Sequence, residues 1–173
     1  MRRALKASAF SGAFVASLLG QVASSARKPF QPKAPPEQPV AFSHKTHFST
    51  GAKCVDCHAI RSPGDRAGYP PESSCMGCHL TIKKDSPEIQ KLAGFAQQKK
   101  PIPWARIYKL PRTVYFSHEV HYKRAKVDCS ACHGPVSERD FLGQEKSIAM
   151  AACMECHDRY KASNDCNLCH DSH

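Results

Sequence analysis

All ten cysteines and five of the ten histidines of this 173-residue chain fall in one pentapeptide, Cys-x-x-Cys-His, written five times. The copies are Cys54/Cys57/His58, Cys75/Cys78/His79, Cys129/Cys132/His133, Cys153/Cys156/His157 and Cys166/Cys169/His170. Two thiols separated by two residues reach both vinyl groups of one porphyrin, and the histidine that follows falls under the iron as its proximal ligand. The spacing is therefore that of covalent haem attachment. A disulfide scaffold suits an exported chain but gives no reason for a histidine after each second cysteine. Structural zinc uses paired Cys-x-x-Cys, again without that histidine. A thioredoxin-like redox motif would occur once, in a βαβ setting. Five copies that leave no cysteine over imply five covalently attached haem c groups.

The other histidines are His44, His47, His118, His121 and His173. Five irons have ten axial positions, so ten histidines make bis-histidine ligation throughout the economical reading. Four of these five sit in two His-x-x-His pairs. His173 stands three residues past His170, too close to reach the opposite face of the same haem. It caps another haem or frays at the terminus. Met76 or Met150 could stand in for it, although methionine is more often core filler; a haem with one open site is the remaining alternative. A bis-histidine iron is six-coordinate and has no place for a substrate. Without an axial methionine its potential tends to be low, tuned further by burial and hydrogen bonds. Enzymes of the multihaem nitrite or hydroxylamine type need an open iron, often marked by Cys-x-x-Cys-Lys, and no such motif occurs here. The expectation is an electron-transfer protein with no catalytic residues.

The elements that must position these groups read as a duplication. Phe42-Ser43-His44-Lys45-Thr46-His47-Phe48 and Phe116-Ser117-His118-Glu119-Val120-His121-Tyr122 are each followed by a haem motif at nearly equal distance, His44 to Cys54 being ten residues and His118 to Cys129 eleven. Such self-similarity implies repeated supersecondary units. The layout is a signal peptide or anchor at 1–26, a Pro-rich extended arm at 27–39, a two-haem unit at 40–80, a connecting segment at 81–112 and a three-haem unit at 113–173. In the connection, Asp85-Ser86-Pro87-Glu88 predicts a helix start, with Pro in the first turn and acid at the positive end of the dipole. Ile89, Leu92 and Phe95/Ala96 follow at helical spacing, and Pro101-Ile102-Pro103-Trp104 ends the run. Val114-Tyr115-Phe116 is expected to pair with Val40-Ala41-Phe42. Elsewhere loops dominate. The fold class is a multihaem cytochrome c with little regular secondary structure, its short helices and loops wrapped around five haems. Hydrophobic residues make up 41% of the chain, with 13 prolines, so the core should be thin and in need of staples. About 147 residues after the presequence leave roughly 29 per haem; haems so crowded lie close enough for electrons to hop between them.

Arg2, Arg3 and Lys6 precede a mildly apolar run, Ala7 to Gly20, and Ser24-Ser25-Ala26 offers small residues at a cleavage site. That is the layout of a secretory signal peptide; an uncleaved anchor is the alternative, weakened by Lys6, Gln21 and several serines. Export fits, because c-type haem is attached outside the bacterial cytoplasm. The formal net charge of +10 falls to about +7 without Arg2, Arg3 and Lys6. Two propionates on each of five haems then bring it to about −3, so the basic side chains have internal anions to neutralise and a nucleic-acid partner is not expected.

Phe-x-His-x-x-His followed by Cys-x-x-Cys-His resembles the class III multihaem cytochromes, the cytochrome c3 and c7 group. The resemblance implies that His44 caps the haem on Cys54/Cys57 and His118 that on Cys129/Cys132, with His47 and His121 reaching haems further along the chain. Several inter-haem segments are similar to the pentahaem cytochrome subunit of alternative complex III, a quinol-oxidising membrane complex, over about residues 38–170. They are Cys75-Met76-Gly77-Cys78-His79, Asp85-Ser86-Pro87-Glu88-Ile89-Gln90-Lys91-Leu92, Pro101-Ile102-Pro103-Trp104, Val114-Tyr115-Phe116-Ser117-His118 and Cys132-His133-Gly134-Pro135-Val136. That resemblance implies partners: an iron–sulfur/molybdopterin-enzyme-like subunit, quinol-oxidising membrane subunits, and a monohaem cytochrome c or other redox carrier. Members of that family commonly keep an N-terminal anchor, where this segment reads more like a cleavable signal. The functional expectation is a periplasmic electron-transfer subunit, membrane-associated through its partners or an uncleaved N-terminus. The alternative is a freestanding soluble periplasmic shuttle to a reductase. The Pro-rich arm and Pro101–Pro111 are candidate docking surfaces, with Trp104 either exposed for docking or packed against a haem.

Overall fold

The computed structural model describes residues 28–170. The presequence 1–26 and His173 lie outside them. Seven short α-helices, a π-helical turn and a 3-10 turn are joined by loops. In chain order they are α1 (His44–Ser49), α2 (Cys54–Cys57), α3 (Glu72–His79), α4 (Pro87–Gln97), the π turn (Glu119–Arg124), α5 (Ser130–His133), the 3-10 turn (Val136–Glu138), α6 (Met150–Tyr160) and α7 (Cys166–Cys169). Among the described residues there is no named strand, only two isolated antiparallel bridges, Lys33 with Gln144 and Ile60 with Ala67. No helix among them is long and apolar enough to cross a membrane.

The expected pairing of 40–42 with 114–116 is replaced by other partners for the same backbone groups. The Ala41 N–H donates to Glu88 Oε2 at 2.7 Å, and the Tyr115 N–H donates to the Cys169 carbonyl at 2.6 Å. Each run is tied to a neighbouring helix instead of to the other repeat. A backbone group needs one partner, and the periodicity of a short run does not say which.

The helix expected after Asp85 is α4. Ser86 caps it, its hydroxyl accepting from the Ile89 N–H, with Pro87 at the first helical position. Its apolar face explains its place. Leu92 joins Val40 and Ile102 as the three buried hydrophobic residues among those described, with Cys75, Met76, Ile89, Phe95 and Trp104 packed around them. α3 lies against α4, and Glu72 on α3 accepts from the Ile102 N–H at 3.1 Å. Among the described residues this cluster is the whole of the conventional core.

Two straps close the remainder. In the arm, the Lys33 N–H donates to the Gln144 carbonyl at 2.9 Å. Gln38 makes a two-way bridge to the Ala105 backbone at 3.0 and 2.9 Å. The Pro-rich arm is thus laid across the connecting segment and the second unit. The second strap joins α1 to the chain beyond the 3-10 turn: the Lys45 N–H donates to the Arg139 carbonyl at 3.0 Å and the Ser43 hydroxyl to Asp140 at 2.6 Å.

Because so few side chains share the apolar load, Leu92→Ala should cost about 2–5 kcal/mol. Guanidinium unfolding of the holoprotein, followed by tryptophan emission from Trp104, measures it.

Candidate functional site

The repeated Phe-Ser-His-x-x-His segment does the same work twice. The serine hydroxyl accepts the backbone N–H three residues on, from Thr46 to Ser43 at 3.0 Å and from Val120 to Ser117 at 3.3 Å. The serine carbonyl takes the Nδ1–H of the second histidine, His47 at 2.7 Å and His121 at 2.8 Å. The phenylalanine stacks on that same histidine: Phe42 on His47 at 4.2 Å and 18°, Phe116 on His121 at 4.6 Å and 23°. It meets the first histidine of each pair edge-on, at 4.8 Å in both copies. Each segment thereby holds the second imidazole by a hydrogen bond and a stacked ring, and the first by an edge-on ring contact.

Each of these four rings faces the histidine of a Cys-x-x-Cys-His motif. His44 and His58 are 6.4 Å apart, centre to centre, with planes 9° from parallel. His118 and His133 repeat those values, 6.4 Å and 9°. His47 faces His79 at 6.2 Å and 62°, and His121 faces His157 at 6.2 Å and 34°. One metal ion bound by two imidazole nitrogens at ~2 Å each, with each ring centre ~1.1 Å behind its nitrogen, sets the centres ~6.3 Å apart. All four separations fall at that value.

The hydrogen bonds select the free nitrogen. A backbone carbonyl only accepts, so an Nδ1 bonded to one carries the proton and leaves the Nε2 lone pair for a metal. His58 bonds Gly68 at 2.8 Å, His79 bonds Ile82 at 2.9 Å, His118 bonds Asp65 at 3.3 Å and His157 bonds Ser163 at 2.6 Å. The His44 Nδ1 is buried without a hydrogen-bond partner.

Burial favours the neutral form of three of these histidines. Burial, then the nearby His58 and His47, pushes His44 down to about 4. Burial lowers His118, and burial followed by His118 and His58 lowers His133. The thiols move the other way. Burial raises Cys57, Cys75, Cys132 and Cys153. Burial and then Cys54 push Cys129 up to about 11. A reactive Cys-x-x-Cys or a zinc cage needs thiolates; these sulfurs stay protonated. All ten are free of disulfides, and no cluster of three or more possible metal ligands forms among the described residues.

The residues therefore fit haem c. Paired imidazoles stand one metal ion apart, each beside a pair of cysteines free of disulfides, and apolar side chains lie open beside the attachment loops: Val55, Leu80, Met154 and Leu168.

Comparison with known proteins agrees. Residues 114–171 match the family described as cytochrome c7 and related cytochrome c. The chain is 30% identical over 161 residues to the multiheme cytochrome c subunit of menaquinone reductase from Nitratidesulfovibrio vulgaris (strain Hildenborough), covering 78% of this chain and 77% of that protein. The chain belongs to the cytochrome c7-related multihaem cytochromes c. Membership carries covalent haem c and electron transfer with it, and the loop-rich, short-helix architecture is that of the class III fold.

In this cytochrome several supporting residues carry no motif. Tyr108 packs edge-on against His133 at 4.6 Å, while its hydroxyl accepts the Glu145 and Lys146 N–H groups at 3.1 and 3.3 Å. Tyr69 packs on His58 at 5.8 Å. Trp104 lies half-buried between Phe42 and Tyr69, a packing role beside the first attachment site. The Phe preceding each His-x-x-His was visible in the repeat; Tyr108 and Tyr69 left no such mark. Among the expected site residues, Cys166, Cys169 and His170 sit on and just after α7. Met76 packs in the small core, and Met150 is exposed at the start of α6.

Two outcomes are expected. His118→Met should keep the covalent haem count and raise one haem potential, since an axial methionine favours the reduced iron; mass spectrometry and an optical redox titration read both. The second concerns the loop behind Tyr108. Arg139 donates to both oxygens of Glu145, at 2.6 and 3.2 Å, and holds that carboxyl below the ordinary glutamate value of about 4.5. A depressed carboxylate contributes stability above its unfolded value and loses it as pH falls through the folded value. Glu145→Gln should flatten the acid side of the thermal-midpoint profile below about pH 4.5, measured against the parent.

Proposed function

We propose that this cytochrome is a periplasmic five-haem electron relay and a subunit of a quinol-oxidising membrane complex. The observation that carries the reading is the set of four facing histidine pairs, each at the spacing of one bound metal ion. When bound, haem c supplies a one-electron iron couple at each pair. The protein does the rest. His44 and His58, His47 and His79, His118 and His133, and His121 and His157 would each hold the group between two imidazoles, leaving no room for a substrate. The cysteines of each motif fasten the ring edge. Nδ1–H bonds and the Phe42 and Phe116 rings fix ligand direction, so little reorganisation accompanies gain or loss of an electron. For the fifth motif, Cys166/Cys169/His170, the remaining histidine is His173.

The complex-subunit role is supported by the relative from N. vulgaris, a menaquinone reductase subunit by name, and by the likeness of the inter-haem segments to the alternative complex III cytochrome. The relative is named for quinone reduction, whereas that likeness implies quinol oxidation. A relay of this kind passes electrons either way, according to the potentials at its ends. Partners of the proposed complex are an iron–sulfur/molybdopterin-enzyme-like subunit, quinol-binding membrane subunits and a monohaem cytochrome c. The N-terminal basic residues and apolar run support export to the periplasm.

Intact mass of the protein purified from membranes should show five covalent haems. Its oxidised EPR spectrum should be low-spin throughout, and added quinol should reduce it only in the co-purifying complex. Release by osmotic shock as a monomer would favour the soluble shuttle. The bare polypeptide mass would end the reading.

A further inference from the structure

The attachment sites touch one another in an order that is not their order along the chain. α1 presents His44 to His58 and His47 to His79, so the Cys54 and Cys75 sites share one six-residue helix, and the Cys75 thiol lies within electrostatic reach of Cys57. The second unit repeats this. His118 and His121 flank the π turn's first residues and face His133 and His157, while Cys132 is close to Cys156 and Cys153. Cys153 is in turn close to Cys169, and the Tyr115 N–H, just before Ser117-His118, donates to the Cys169 carbonyl at 2.6 Å.

The junction between the units decides the order. The loop after His58 docks on the second His-x-x-His segment: the Ser117 hydroxyl donates to the Pro63 carbonyl at 3.2 Å, and the His118 N–H to the Gly64 carbonyl at 2.6 Å. Gly64 has φ +82°, and a Cβ there would come within 2.9 Å of the Glu119 backbone nitrogen. Only glycine permits so close an approach. At the same junction the Cys129 thiol lies within electrostatic reach of Cys54, and His133 within that of His58. The first site of each unit thus meets the first site of the other.

We infer that the relay runs Cys75/Cys78, Cys54/Cys57, Cys129/Cys132, Cys153/Cys156, Cys166/Cys169, with the first two sites reversed relative to the sequence. Its ends are the second and fifth motifs, and these are where electrons are exchanged with partners; the site nearest the N-terminus is internal. Each hop moves one electron, one iron being oxidised as its neighbour is reduced, with no bond made or broken. The inference rests on every motif carrying haem, as proposed above.

Proton NMR of the fully reduced, full-length holoprotein tests it. Each haem is assigned through the nuclear Overhauser contact of its thioether protons with the β-protons of its own cysteines. Cross-peaks between the Cys54 and Cys129 haems are expected, and none between the Cys75 and Cys129 haems. Contacts between the Cys75 and Cys129 haems, or none between the Cys54 and Cys129 haems, would overturn the order. Paramagnetically shifted high-spin lines would count against bis-histidine ligation instead; the thioether contacts judge the order whichever way ligation falls. Gly64→Ala should weaken the Cys54–Cys129 cross-peaks while leaving the Cys54–Cys75 contacts in place. Equal loss of both would remove the junction from the argument.

Discussion

Two imidazoles held on either side of a space one metal ion wide are the constraint on which this molecule depends. Each pair joins a His-x-x-His segment to the histidine of an attachment motif more than a dozen residues away in sequence, so each pair is also a long-range crosslink. The segments that carry them are short: α1 has six residues, and α2, α5 and α7 have four each. Helices of that length do not persist on propensity alone. They exist here because capping serines, carbonyl bonds to Nδ1 and aromatic rings hold the ligands in place, and the geometry of the ligands then dictates the turn.

The difference between the repeats shows which quantity is held constant. The second unit has one more residue between its histidine pair and its first motif. Where the first unit uses an α-helix, the second uses a π turn, in which the Ala125 N–H reaches the Val120 carbonyl five residues back. A π turn absorbs one extra residue without shifting what flanks it. The outcome is the same ring separation and the same interplanar angle at His118/His133 as at His44/His58. Backbone hydrogen bonding has been altered while the ligand geometry has not.

What was legible in the sequence follows from how local the chemistry is. Two thiols and an imidazole must lie within five positions, so the attachment motifs are written contiguously. The duplication of Phe-Ser-His-x-x-His marked the facing histidines, and Ser86-Pro87-Glu88 with its apolar spacing marked α4. Contacts set by the return of a loop had no such signature. Tyr108 beside His133, the arm bridging to Ala105 through Gln38, and the meeting of Cys54 with Cys129 depend on three-dimensional closure. The misplaced pairing of 40–42 with 114–116 has the same origin: both runs look extended, and nothing within three residues says that Glu88 and Cys169 will claim their N–H groups.

The scarcity of buried side chains bears on how such a protein comes to exist. Val40, Leu92 and Ile102 cannot offset the conformational entropy of ordering well over a hundred residues. Groups held by the paired histidines and the cysteines would supply the rest of the stabilisation, much as small metal-dependent domains are unfolded until loaded. Loading and stability would then be one event, and a chain that missed an attachment would lie more open to proteolysis.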